Sequence, residues 1–109
     1  MNDPRDDMPP RATILYTAAK VTSGDRDKTY GEPVGTMQNI ARLWSEYLTI
    51  RMGVEVCLTG EDVAHMNTLM KIARTVVRGP AHVDNYIDGS CYEAIAGECA
   101  MEERPNAST

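Results

Sequence analysis

Lys71, Arg74, His82, Asp84 and Asp88 fall within one short stretch, where two cations precede a Gly79-Pro80 break and His82-Val83-Asp84-Asn85-Tyr86-Ile87-Asp88 follows it. On a helix, carboxylates at i and i+4 stack one turn apart on the same edge. Asp84 and Asp88 so placed would offer oxygen ligands to Mg2+ and leave coordinated waters for a substrate's phosphates. Lys71 and Arg74, with Asn67, lie along the edge of the preceding helix's apolar stripe. The planar fork of Arg74 matches phosphate oxygens. If the two helices pair antiparallel across the Gly-Pro turn, cations and carboxylates come side by side. Two outcomes then follow: mutual neutralisation by salt bridges, which is the commoner one, or a shared site in which the cations hold phosphate and the carboxylates hold metal. His82, just ahead of the acidic pair, is a candidate acid/base group or ligand, although a turn histidine is more often simply solvated. His65 points away from the stripe and reads as surface.

A second polar group lies upstream. The loop from Gly24 to Pro33 carries Asp25, Arg26, Lys28 and Tyr30 between glycines, so Arg26 could meet a phosphate and Tyr30 could stack on a base. It lacks the G-x-x-x-x-G-K-[ST] spacing of a phosphate-binding P-loop. Trp44 and Tyr47 read as core or interface anchors. Cys57, Cys91 and Cys99 are odd in number and show no C-x-x-C spacing, which favours free buried thiols over zinc ligands or a disulfide. No Ser-His-Asp or Cys-His arrangement follows from spacing.

The elements that must hold these residues read as helices throughout, with no sustained alternation of period two. A first helix is expected from about Arg11 to Thr22 and a second from Pro33 to Met52, with Met37, Ile40, Ala41, Trp44, Tyr47 and Leu48 at helical spacing and Gly53 as C-cap. Val54 to Leu58 reads as a short extended connector. Thr59-Gly60-Glu61-Asp62 approximates a capping box for a third helix with Val63, Met66, Leu69, Met70, Ala73 and Val77 as its buried stripe. The fourth should run from His82 or Asp84 to about Met101. Its small residues, among them Gly89, Ser90, Ala96 and Gly97, permit close helix packing.

A chain of 109 residues is one domain's worth. Residues 1–10 and 102–109 read as loosely held, flexible ends around a helical domain spanning 11–101, a unit small enough that burying helix faces in a homo-oligomer would add stability. The expected fold is therefore an all-α, four-helix-bundle-like single domain in an oligomer. The net charge of -5 argues against general nucleic-acid binding, which needs clustered Lys and Arg. No apolar run is long enough to span a membrane, and Asp3, Asp6 and Asp7 stand where a signal peptide would be basic, so a cytoplasmic location is expected.

Gly24-Asp25-Arg26, Tyr30-Gly31-Glu32-Pro33, Asn39-Ile40-Ala41, Leu43-Trp44-Ser45, Tyr47-Leu48, Asp62-Val63, Lys71-Ile72-Ala73-Arg74 and His82-to-Asp88 with Tyr92 occur in an order that resembles a family of small phage and prophage proteins of unknown function. The resemblance covers about Ala18 to Glu98. More distantly, the Tyr-Gly, Lys-x-x-Arg and Asp-x-x-x-Asp-x-x-x-Tyr series is similar to the nucleotide modification associated domains found near phage base-modification genes. A looser similarity is to the all-α nucleoside triphosphate pyrophosphohydrolases of the MazG type, which hold Mg2+ on helix-borne carboxylates. This chain lacks that family's E-x-x-E and E-x-x-D pair and offers Asp84 and Asp88, with Glu32, Glu46 or Glu98 as the carboxylates that would have to complete a site.

These readings lead to a nucleotide or nucleotide-derived ligand as the expected partner, contacted by Arg26, Tyr30, Asn67, Lys71, Arg74, His82, Asp84 and Asp88, in the service of nucleotide modification or of sequestering a signal. The alternatives are a Mg2+-dependent nucleoside triphosphate pyrophosphohydrolase with metal on Asp84 and Asp88, and a structural or protein-interaction module in which the polar corner is a salt-bridge cluster.

Overall fold

A computed structural model of the chain describes residues 3–24 and 31–105, which contain four α-helices, one 3-10 turn and no strand. The helices are α1 (Pro10–Ser23), α2 (Pro33–Met52), α3 (Gly60–Arg74) and α4 (Val83–Glu103). The 3-10 turn, Pro4–Asp7, is closed by Asp3, whose carboxylate accepts from the Arg5 backbone and pairs with its guanidinium at 2.6 Å.

Local chemistry fixes most helix ends. Glu32 accepts from Val34 N at 2.9 Å and Gly35 N at 2.8 Å, filling the donors that open α2, while Pro33 supplies a first-turn residue with no N–H to satisfy. The helix closes at Gly53, whose φ of 73° needs a residue without Cβ and whose N–H reaches Thr49 O. The connector then runs back along α2. Its Val56 N–H donates to Thr49 Oγ1 at 2.9 Å and its Leu58 N–H to Ser45 Oγ at 2.8 Å, so two helix hydroxyls take the place of a partner strand. At α3 the expected capping box is complete: Asp62 N–H donates to Thr59 Oγ1 at 3.2 Å and Thr59 N–H to Asp62 Oδ2 at 2.9 Å.

Helix α3 stops at Arg74, short of Gly79-Pro80. Thr75-Val76-Val77 is a β-branched run of low helix propensity, and the helix does not continue through it. Val77, expected in the buried stripe, is consequently exposed. Helix α4 extends to Glu103, past the expected end at Met101.

Helices α3 and α4 form an antiparallel hairpin, stitched by Lys71–Asp88, Thr68–Glu93 and Glu61–Arg104 from its turn to its open end. Val34, Met37 and Ala41 of α2 close on Val63 and Ala64 of α3 and on Ile95, Ala96 and Cys99 of α4 to form the core. Helix α1 lies on α4, with Ala18 buried against it and the Cys91 thiol donating to Ala18 O at 3.4 Å. Two expectations fail here. Cys57 is exposed, because the connector presents it outward, and Met66, Leu69 and Met70 stand at the surface, because among the described residues no further element covers them.

Candidate functional site

The antiparallel hairpin brings Lys71 and Asp88 together, Nζ to Oδ2, at 2.9 Å. The Lys71 side chain is 13% exposed and that of Asp88 34%, so the ammonium is the more desolvated partner and depends on the carboxylate for most of its compensation. Asp88 also lies on the rim of a cleft of about 180 Å³ between α1, the start of α2 and α4. The cleft walls are chiefly Val21, Pro33, Met37, Cys91, Tyr92 and Ile95. Oδ2 is taken by Lys71, and Oδ1 remains to accept a hydrogen bond from anything that enters.

The other candidates separate. Asn67 is half-buried and donates to Met37 Sδ at 3.6 Å, which turns it toward α2. Arg74 and Asp84 are both exposed and no ion pair joins them. His82 is the exposed N-cap residue of α4 but makes no side-chain cap. Arg26 and Tyr30 lie outside the described residues. For metal, Asp84 and Asp88 do not make a closed set: Asp88 is already neutralised by Lys71, and among the described residues no group of three or more His, Cys, Asp and Glu side chains converges as ligands. With Lys71 on Oδ2, Asp88 would offer a Mg2+ ion only Oδ1, beside the positive charge of the ammonium.

Three features escaped sequence reasoning. Glu103 reaches across the open end of the hairpin to accept from Gly60 N at 2.9 Å and Glu61 N at 3.1 Å. Its carboxylate therefore occupies the anion-binding start of α3, beside a wide recess bordered by Gln38, Arg42 and Thr59. The second feature is the cleft, whose walls come from segments distant in sequence. The third is His65, held between Glu93 Oε2 at 2.8 Å on Nδ1 and Glu61 Oε2 at 3.1 Å on Nε2. The i, i+4 spacing of Glu61 and His65 was the available signal for one half of that bridge.

With an acceptor on each ring nitrogen, the imidazole is best satisfied when both donate, and Glu93 followed by Glu61 raises the His65 pKa above 6.5. Glu93 is lowered in turn, first by His65 and then by the Thr68 hydroxyl. The stabilisation from His65 is therefore full below pH 6.5 and disappears as pH rises through the elevated folded-state pKa. Because the group is half-exposed, we expect at most about 1 kcal/mol. Thermal melts should show His65→Gln losing stability relative to wild type below pH 6.5 and converging with it in alkaline buffer. A constant difference at all pH values would show that the ring acts by packing alone.

The buried Cys99 thiol is pushed up to about 11, chiefly by desolvation and then by Glu103, which keeps it protonated and unreactive. No helix among the described residues is long and apolar enough to cross a membrane.

A family model described as a domain of unknown function, DUF6378, matches residues 13–100. The Gene 55 protein of Mycobacterium phage L5 is 36% identical over 91 residues, an alignment covering 84% of this chain and 54% of that protein. The Gene 55 protein of Mycobacterium phage D29 is 38% identical over 91 residues, covering 79% of this chain and 55% of that protein. The chain thus spans about half the length of the curated relatives it matches. No solved structure matches it.

Proposed function

We propose that this chain, which belongs to the DUF6378 family with relatives in phages, binds a nucleotide or nucleotide-derived ligand at the α1, α2 and α4 cleft. The observation that carries the reading is the combination of an apolar recess with one hydrogen-bonding carboxylate, Asp88, held in place by Lys71. At about 180 Å³ the cleft is smaller than the roughly 300–1,000 Å³ of pockets that enclose a whole drug-sized ligand. A flat heterocycle would enter between Tyr92 and Met37, with Asp88 Oδ1 accepting from a ring N–H or exocyclic amine. Sugar and phosphates would remain outside.

Arg74, exposed one turn along α3 from Lys71, is the cation free to meet a phosphate, since Lys71 is committed to Asp88. The distant similarity to nucleotide modification associated domains supports the same ligand class. The role that follows is retention of the ligand, either for nucleotide modification or to sequester a signal.

The test is thermal stability of the purified protein against mono-, di-, tri- and cyclic nucleotides, with and without Mg2+, with chromatography of every stabilising ligand afterwards. Stabilisation by an intact ligand is expected. Arg74→Ala should abolish that stabilisation while helicity stays near wild type. Release of pyrophosphate would favour the hydrolase instead, and no shift across the panel would favour a protein-interaction module.

A further inference from the structure

Among the described residues lining the cleft between α1, α2 and α4, three polar side chains have no proton to give a ligand. The Thr36 hydroxyl donates back to Glu32 O at 3.1 Å, and the Cys91 thiol donates to Ala18 O at 3.4 Å. An ionised Asp88 is an acceptor only, and its Oδ2 is held by Lys71 at 2.9 Å. What these groups keep for a ligand is acceptor capacity, on Asp88 Oδ1 and on Thr36 Oγ1. Thr22 and Tyr92 add hydroxyls, which donate or accept as their surroundings require. Given that the cleft binds a nucleotide, as proposed above, we infer that it takes the base by an amino group, so that its ligands are nucleotides of adenine or cytosine and not those of hypoxanthine, guanine, uracil or thymine.

Adenine and cytosine share one edge, an amino group on a ring carbon beside a ring nitrogen that accepts. One amino hydrogen on Asp88 Oδ1 makes a charge-assisted bond, and the ring nitrogen can accept from a hydroxyl. The other bases carry a carbonyl oxygen at the corresponding ring carbon, with a ring N–H next to it. Turning that N–H to Oδ1 brings the carbonyl lone pairs up against a negative charge. It also buries the carbonyl near Val21, Met37 and Ile95, where a polar atom without a donor is costly. Guanine adds an amino N–H beside its ring N–H, a pair that two carboxylate oxygens would match in parallel. Swinging Asp88 to supply both would strand the Lys71 ammonium, whose side chain is 13% exposed. Lys71 therefore acts on specificity through Asp88, by leaving it a single oxygen to offer.

The test uses the unmodified chain and ligand pairs with the same sugar and phosphates, so that contacts outside the cleft cancel. Titration calorimetry of AMP against IMP, ATP against ITP and CTP against UTP should give the amino member the tighter Kd by about ten- to a hundredfold, the worth of a hydrogen bond to a charged group. Purine riboside monophosphate, with hydrogen in place of the amino group, should fall with IMP. Lys71→Met combined with Asp88→Asn leaves no ammonium stranded and supplies an amide that can turn its NH2 to a carbonyl, so the ratio of AMP to IMP affinity should approach unity. A preference confined to the purine or to the pyrimidine pairs would be the same amino recognition narrowed to one base. Equal affinities within every pair would overturn it and leave the nucleotide reading standing, whereas no binding by any of these ligands would remove both. A ratio that survives in the double variant would overturn the assignment to Asp88.

Discussion

Gly60→Ala is expected to lower stability by about 1–3 kcal/mol, the range for forcing an added methyl into a filled site. A Cβ on Gly60 would lie 2.9 Å from Gln38 Cγ, 3.0 Å from Glu103 Oε2 and 3.2 Å from Cys99 Sγ. Gln38 meets it partway along its side chain rather than at a mobile tip, and Cys99 is fully buried. The Glu103 carboxylate can retreat only by lengthening its bonds to Gly60 N and Glu61 N, so the substitution both crowds the core and loosens the cap of α3. Glycine is required here by close approach and not by backbone conformation, since its φ is not among the positive values of this chain. Urea unfolding would measure the effect, with a lower midpoint at unchanged slope. A midpoint equal to wild type would mean that α3 and α4 separate freely at this end, contrary to the packing described.

The second large effect is asymmetric. Asp88→Asn should cost about 1–3 kcal/mol, because it leaves the Lys71 ammonium without its counter-charge at a position where little water reaches it. Lys71→Met should cost less: the carboxylate it abandons is more exposed, and the methionine keeps most of the buried stem. Combining Lys71→Met with Asp88→Leu should recover stability relative to Asp88→Asn, since no charge is then left in the interface. Equal and negligible losses for both single variants would show that the pair is surface decoration, worth no more than an exposed salt bridge. The same variants bear on ligand binding, because Asp88 lines the cleft. The stability series separates its structural contribution from any loss in the nucleotide panel.

Where the chain's own neighbours supply the chemistry, the sequence was sufficient. The limits of α2 follow from Pro33 and Gly53, and the start of α3 from the Thr59 and Asp62 box, because capping groups lie within a turn of the backbone they satisfy. That the Lys71 and Arg74 cations would come alongside the Asp84 and Asp88 carboxylates was also legible, though not which of them would pair. A short break between two helices leaves an antiparallel hairpin as the economical arrangement, and its register brings those positions level. The family resemblance, carried by ordered motifs across most of the chain, agrees with the family match.

Other features depend on how helices far apart in sequence meet. Periodicity marks a residue as apolar-facing but not which neighbour it faces, so Met66, Leu69 and Met70 read as core although the fold leaves them exposed. Glu103 looked like part of a polar tail, and only the lengths of α3 and α4 carry it to the start of α3. Arg74 and Asp84, equally plausible partners on paper, stay apart while Lys71 and Asp88 join. The cleft has no sequence signature, since its walls come from α1, α2 and α4 and exist only once these pack. The sequence by itself determined the helices, their caps and the hairpin, because those interactions close within a turn of helix or across a short loop. The tertiary structure decided which apolar stripe is covered and which charges meet, because those outcomes depend on the crossing and register of whole helices.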